Sequence, residues 1–242
     1  MDEFFWIIAD LHLHESNEKE KTQFFSFLED FNKSNSERLF ILGDLFSNWM
    51  ALENSLSQFQ KEILDELRKS KKEIIFISGN RDFFVEELKN SPFLFSGKTF
   101  KMKLPSSKIV FFEHGETINL SDRKYLIWSS FSRMNAVKSF IKIFPENVIK
   151  KIAEKIEKGL SKTNIENKSD IPIEYLKKYA LYLKEDAIDT VFLGHFHKRL
   201  SFNFNSVKIE IIDKFFPSGS YVVVDTEGIL TEKNYVFKPD LP

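Results

Sequence analysis

Five short apolar runs, each ending abruptly in polar side chains, constrain this chain more than any other feature. The central run, 39–42, is followed directly by Gly43 and Asp44. Its length and its Leu, Ile and Phe content predict a buried strand, and binding groups in α/β folds collect at the carboxyl ends of such strands. Because all five runs end in the same way, we expect their ends to meet at one site with Asp44 at its centre.

The side chains at these five ends are ones that can bind metal ions. In chain order they are Asp10, His12, Asp44, Asn80, His114, His195 and His197. Each motif alone is compatible with an ordinary strand end or turn. However, four of the five histidines of the chain occupy such positions, which favours a metal site.

The number and type of these ligands indicate two ions. Oxygen and imidazole ligands suit Mn²⁺, Fe, Zn²⁺ or Ni²⁺, and a chain without cysteine has no thiolate ligand. A catalytic zinc usually has three protein ligands, so seven are too many for one such ion. Two divalent ions need an anionic bridge between them. We therefore predict a two-metal hydrolytic centre bridged by Asp44.

The periodicity of the remaining chain predicts an α/β fold. We expect strands at 4–9, 39–42, 74–77, 98–104, 108–112, 190–193, 200–204, 207–212, 220–225 and 229–236. Amphipathic helices are expected through Phe24–Phe31, through Leu52–Leu67 and at 173–185, and residues 81–84 should begin a further turn or helix. The pattern predicts a single domain, 1–242, of two sheets with a helical insertion at about 122–165.

The net charge of −1 conceals a basic segment. Residues 122–164 contain ten Lys and Arg against four Asp and Glu. Such a segment indicates an anionic partner, either a phosphorylated ligand or a membrane surface, or else a solvated helix face. The acidic N-terminus and its short apolar run predict neither a signal peptide nor a spanning helix. Because the chain has no cysteine, it is compatible with a reducing compartment, and we expect a cytoplasmic protein.

The polar motifs at the strand ends, taken in order, resemble those of the calcineurin-like metallophosphoesterase family. These motifs are Asp10-x-His12, Gly43-Asp44, Gly79-Asn80, His114-Gly115 and Gly194-His195-x-His197. The resemblance extends to about residue 200 and implies a four-layer α/β/β/α sandwich with a dinuclear centre. It assigns Asp10, His12 and His197 to one metal. It assigns Asn80, His114 and His195 to the other, with Asp44 shared by both.

Arg81 departs from the family pattern, which usually has a histidine that protonates the leaving oxygen. Arginine is too basic to donate a proton readily, but its planar guanidinium binds phosphate oxygens. The leaving group should then need little protonation, as in a phosphoric anhydride. We expect Asn80, Arg81 and His195 to bind the substrate and stabilise charge on it. Loss of Asp44 should abolish activity.

With the residues around Asp10, Asp44 and Trp49, this variation is similar to one branch of the family. That branch hydrolyses UDP-2,3-diacylglucosamine to UMP and 2,3-diacylglucosamine 1-phosphate in lipid A synthesis, usually with Mn²⁺, beneath a helical lid. The resemblance implies that 122–165 is this lid and that it lies against the cytoplasmic face of a membrane, which would make the protein peripheral on the inner membrane. Substrate contacts are then expected from Asp122, Tyr125, Ser161 and Asn164. No nucleic-acid partner is expected.

Two other functions fit the sequence. One is a metallophosphoesterase acting on soluble nucleotides or phosphodiesters. The other is a non-catalytic scaffold with the same fold, although the full ligand set argues against it. The insertion could also be a helical hairpin that completes the core rather than a lid.

Overall fold

The fold is described from a computed structural model, which covers residues 3–52, 55–118 and 171–237. The predicted lid at 122–165 lies outside the described residues. So do the four substrate contacts predicted on it, Asp122, Tyr125, Ser161 and Asn164.

The described residues form strands and three longer helices. In chain order the strands are β1 (Glu3–Ala9), β2 (Arg38–Leu42), β3 (Trp49–Met50), β4 (Glu73–Ile77), β5 (Asp82–Phe83), β6 (Phe95–Gly97), β7 (Thr99–Lys103), β8 (Ile109–Glu113), β9 (Thr190–Leu193), β10 (Leu200–Phe204), β11 (Val207–Ile211), β12 (Ser220–Asp225) and β13 (Leu230–Asn234). The helices are α1 (Glu18–Lys33), α2 (Gln58–Arg68) and α3 (Ile173–Glu185), and Val85–Glu87 forms a 3₁₀ turn.

Two sheets contain most of the strands. The first has the order β13-β12-β1-β2-β4-β6 and the second has the order β10-β11-β9-β8-β7. Strands β1, β2, β4 and β6 run parallel to one another, and so do β8, β9 and β11. The carboxyl ends of β1, β2 and β4 therefore lie at one edge of the first sheet, and those of β8 and β9 lie at one edge of the second.

Buried apolar side chains join four layers. On one face of the first sheet, residues of β1, β2 and β4 such as Trp6 and Ile41 pack with Phe27 of α1 and Ile63 of α2. Between the sheets, Phe40 stacks on Phe112 with ring centroids 3.9 Å apart. On the outer face of the second sheet, Leu176, Ala180 and Leu183 of α3 pack against Val191 and Ile209. The α/β/β/α sandwich predicted from the sequence is confirmed.

Helix α2 begins later than predicted. The Ser57 hydroxyl oxygen accepts a hydrogen bond from the Gln60 backbone N–H, and the Gln60 side-chain oxygen accepts one from the Ser57 backbone N–H. This capping box fixes the start of the helix at Gln58. Leu52 and Leu56, predicted on this helix, precede it but are still buried.

Three short strands, β3, β5 and β6, were not predicted. Residues 81–84, predicted to begin a turn or helix, start in a turn at Arg81, and Asp82–Phe83 then pairs with Trp49–Met50 before the 3₁₀ turn. Phe95–Gly97 adds an edge strand parallel to β4. Strands this short carry too few alternating residues for a pattern to show, and their pairing depends on distant parts of the chain.

Candidate metal centre

The structure brings all seven predicted ligands to one place, at the facing carboxyl ends of the two sheets. Asp10 and His12 follow β1, Asp44 follows β2, and Asn80 follows β4. His114 follows β8, and both His195 and His197 follow β9. The fifth histidine, His14, is exposed and contacts Ser16, so it lies on the surface, outside the centre.

Three of these residues converge on one point, and we call them the Asp10 group: Asp10, His12 and His197. The Nε2 atoms of the two histidines lie 3.1 Å apart, and His197 Nε2 lies 3.0 Å from Asp10 Oδ1. Ligand atoms that share one ion at roughly 2.1 Å are about 3 to 3.5 Å apart. The Asp10 group therefore has the spacing of a metal site.

A second set converges nearby, and we call it the Asn80 group: Asn80, His114 and His195. Asn80 Oδ1 lies 3.2 Å from His114 Nε2 and 3.2 Å from His195 Nδ1. His114 Nδ1 contacts the Leu42 carbonyl oxygen at 2.7 Å, which directs the other ring nitrogen toward the site. A backbone carbonyl behind a metal-binding histidine is the usual way to orient the ring.

Asp44 lies between the two groups and is fully buried. Its Oδ1 atom is 3.8 Å from His114 Nε2, and its Oδ2 atom is 3.8 Å from His12 Nε2. Each carboxylate oxygen thus faces a different group. This is the position that a bridging ligand would need.

Five of the seven residues have left-handed backbone conformations that non-glycine residues rarely adopt. They are Asp10, His12, Asp44, His195 and His197, with φ between 50° and 69°. Each such residue costs free energy and persists only where surrounding contacts hold it, which is typical of functional sites. The strand-to-loop turns are held by backbone bonds between neighbouring loops, such as His12 N to Asp44 O at 2.9 Å.

The Asp82 side chain connects two of the loops that carry candidate ligands, which we call ligand loops. Its Oδ2 atom accepts hydrogen bonds from the backbone N–H of Asp44 at 2.7 Å and of Gly79 at 2.8 Å. Burial, together with the neighbouring Asp44 charge, raises the pKa of Asp82. No role for Asp82 was predicted from the sequence.

Glycine is required where the loops approach most closely. A Cβ atom at Gly79 would lie 2.4 Å from Asp44 Oδ1 and 2.9 Å from His114 Nε2. A Cβ atom at Gly43 would lie 2.4 Å from His114 Nδ1. Larger residues at either position would push into the ligand set.

The protonation states of Asp10 and His12 suit a bound cation. Burial opposes ionisation of Asp10, but its hydrogen bond to His197 and the nearby histidines bring its pKa below the ordinary value. Burial lowers the pKa of His12 to about 4. A metal ligand must be an ionised carboxylate or a neutral imidazole, and these two residues have those forms at neutral pH.

Arg81 lies beside the centre, as predicted. Its backbone N–H donates to Asp44 Oδ1 at 2.9 Å, and its Nη1 atom donates to the Ser47 carbonyl at 2.8 Å. The Nε atom is 3.7 Å from Asp44 Oδ2. The Ser47 contact, which the sequence did not reveal, fixes the direction of the guanidinium.

The family model for calcineurin-like phosphoesterases matches residues 5–199, which is most of the chain. This chain belongs to that family. It is therefore a metal-dependent hydrolase of phosphoester or phosphoanhydride bonds, as the sequence motifs predicted. The matched range includes all seven residues of the candidate centre.

Two similar curated proteins have the same name. UDP-2,3-diacylglucosamine hydrolase of Histophilus somni is 30% identical over 199 residues, which cover 80% of this chain and 84% of that protein. The protein of that name from Wigglesworthia glossinidia brevipalpis is 30% identical over 204 residues, covering 78% and 77%. The predicted resemblance to this branch is confirmed.

A solved structure described as a novel archaeal phosphodiesterase has the same fold. Its TM-score is 0.51 at 16% identity, and the match covers 96% of this chain and 99% of that one.

Within the described parts of the chain, no helix is both long enough and apolar enough to span a bilayer.

Proposed function

We propose that the chain hydrolyses the pyrophosphate bond of UDP-2,3-diacylglucosamine, giving UMP and 2,3-diacylglucosamine 1-phosphate in lipid A synthesis. The observation that carries this proposal is the position of Arg81, which contacts Asp44 at the centre of the seven candidate ligands. The relatives named for this substrate support it, since they align over about four fifths of both chains.

We assign the Asp10 group to one divalent ion and the Asn80 group to another, with Asp44 shared by both. The distances within each group and the central position of Asp44 support this assignment. Mn²⁺ is the expected ion, because the branch of the family that the sequence resembles usually uses it; the oxygen and imidazole donors suit Mn²⁺ as well as Fe, Zn²⁺ or Ni²⁺. When bound, the two ions would supply an activated water and positive charge near the phosphate oxygens.

Two buried donors are available to the substrate. Among the described residues, Asn80 Nδ2 and Arg81 Nε are buried and have no hydrogen-bond partner. Unsatisfied buried donors are rare in folded proteins and need an explanation. Oxygens of the phosphate undergoing attack would satisfy both donors, and both would then stabilise the charge that develops on it. His195, which contacts Asn80, completes this side of the proposed substrate site.

The position of Arg81 also supports an anhydride substrate. Water would attack the UMP-side phosphorus, and the bond from this phosphorus to the bridging oxygen would break. The leaving group is then a phosphate monoester, whose oxygen is weakly basic and needs little protonation. A guanidinium that binds phosphate is better suited to this reaction than to cleavage of an alkyl ester.

The membrane part of the proposal depends on the basic segment 122–164. Its excess of Lys and Arg would attract the anionic cytoplasmic face of the inner membrane, where an acylated substrate lies. Asp122, Tyr125, Ser161 and Asn164 are the proposed contacts to the acylated sugar. Sedimentation with vesicles of anionic and of neutral lipid tests the association, and equal binding to both would contradict it.

The proposed substrate is tested by comparing hydrolysis rates with Mn²⁺ present. The substrates are UDP-2,3-diacylglucosamine, UDP-N-acetylglucosamine and bis(p-nitrophenyl) phosphate, and Asp44→Ala is the inactive control. We expect kcat/KM to be about 100-fold or more higher for the lipid, because remote binding energy is used in the transition state.

The position of attack is tested in ¹⁸O-labelled water. The label should appear in UMP and not in the sugar phosphate. Equal or faster hydrolysis of the soluble compounds would favour the alternative, a phosphoesterase acting on soluble nucleotides or diesters.

A further inference from the structure

Lys98 connects two of the ligand loops, although it is not itself a candidate ligand. It lies between β6 and β7, and its Nζ atom donates to Glu116 Oε1 at 2.9 Å. The same atom donates to the carbonyl oxygen of Ser78 at 3.0 Å and of Gly79 at 3.4 Å. The Glu116 side chain is only 2% exposed, so the carboxylate of this ion pair is shielded from water.

The two loops that Lys98 joins both belong to the Asn80 group. Ser78 and Gly79 lead directly into Asn80, and Glu116 follows His114 by two residues. Asn80 and His114 meet at 3.2 Å. The three Lys98 contacts are all with these two loops, whereas the Asp10 group is carried by the loops after β1 and β9.

We propose that Lys98 is a positioning residue for one half of the metal centre. The Lys98–Glu116 pair fixes the loop after β4 against the loop after β8, so that Asn80 and His114 keep the spacing needed to share an ion. This inference rests on the metal assignment made above. It predicts a selective effect, since a purely structural ion pair would change stability without distinguishing the two ions.

The selective effect can be measured as Mn²⁺ binding, without any substrate. We compare wild type with Lys98→Met and with a matched control, Lys101→Met. Lys101 is on β7 and donates to the Asp186 carbonyl at 2.9 Å in an exposed position. The control therefore removes the same charge from the same region without contact to a ligand loop.

In calorimetric titration of metal-free protein, we expect Lys98→Met to weaken one of two Mn²⁺ sites by about 10- to 100-fold, as loss of supporting contacts around ligands does. The other site should change by less than about twofold, and Lys101→Met should match wild type within that margin. At limiting Mn²⁺, the electron paramagnetic resonance spectrum of Lys98→Met should change from a coupled pair to an isolated ion. An anomalous difference map should keep the peak beside the Asp10 group.

Two milder variants keep the test informative if Lys98→Met does not fold. Lys98→Arg keeps the charge and should largely restore the affected site, and Glu116→Gln should weaken the same site as Lys98→Met. Equal weakening of both ions, or no weakening in any variant, would overturn the role of Lys98. A wild-type protein that binds fewer than two ions would instead contradict the metal assignment, and failure to cleave the UDP-lipid would contradict only the substrate.

Discussion

Substituting Gly79 by alanine should damage the metal centre while leaving the backbone unstrained. The Gly79 φ angle lies outside the left-handed range, so alanine can adopt this conformation. The added Cβ atom, however, would lie 2.4 Å from Asp44 Oδ1, where ordinary contact begins at 3.4 Å. The Asp44 carboxylate, or the Gly79 turn, must therefore move by about 1 Å.

A movement of this size exceeds what a metal site accepts. Metal–ligand distances tolerate changes of about 0.2 Å, and a misplacement of about 1 Å can cost about 100-fold in rate. We expect Gly79→Ala to lower kcat/KM by about 100-fold, equivalent to about 2.7 kcal/mol of transition-state stabilisation. Mn²⁺ affinity should fall in the same variant by about 10- to 100-fold.

The assay combines Mn²⁺ titration, steady-state hydrolysis and thermal unfolding of the metal-free protein. Gly97→Ala is the matched control, because the three atoms nearest to its added Cβ atom, at 2.7, 3.0 and 3.7 Å, all belong to the ring of Phe95 and none to a candidate ligand. Gly97→Ala should bind Mn²⁺ as wild type does. If Gly79→Ala kept wild-type affinity and turnover, the close approach of the Gly79 turn to Asp44 would not matter for function, and our reasoning would be refuted.

Four further outcomes are expected. Arg81→Lys should lower kcat/KM by about 10- to 100-fold on the anhydride substrate while metal stoichiometry is kept, since lysine cannot reproduce the planar guanidinium; loss of metal in this variant would contradict a substrate role. Asp82→Ala removes the acceptor of two backbone N–H groups, those of Asp44 and Gly79. It should lower the free energy of unfolding in urea by about 2 to 4 kcal/mol, and Asp82→Asn should lower it by less. Phe40→Ala removes a ring stacked between the sheets and should cost about 3 to 5 kcal/mol by the same assay without changing the number of ions bound; a change below about 1 kcal/mol would contradict the described packing. In metal-free protein, burial lowers the pKa of His12 to about 4, so this residue is neutral in the folded state. The unfolded state therefore binds more protons below about pH 6.5, and the free energy of unfolding should fall as the pH drops from there toward 4. The His12→Gln variant should lose less stability over this range, and an equal loss would exclude this contribution.

The seven candidate ligands could be predicted because each lies within four residues of the end of an apolar strand. The parallel arrangement of β1, β2 and β4 follows from alternating helix and strand patterns, and it places Asp10, Asp44 and Asn80 at one edge. The motifs shared with the family then indicate which of the two ions each residue would bind.

The supporting contacts could not be predicted in this way. The left-handed conformations of Asp10 and Asp44 depend on bonds between loops that are distant in sequence, such as Asp10 N to Gly43 O at 3.2 Å. Asp82 and Lys98 stabilise ligand loops through backbone groups, which leave no pattern of side-chain types. Such contacts become visible only when the chain is folded.

The most direct test of the central claim is the location of bound ions in crystals soaked with Mn²⁺. We predict two anomalous peaks per chain, one beside His12 and His197 and one beside His114 and His195, with Asp44 between them. Asp44→Ala should lose at least one of the peaks. A single peak, or two peaks that do not flank Asp44, would contradict the account.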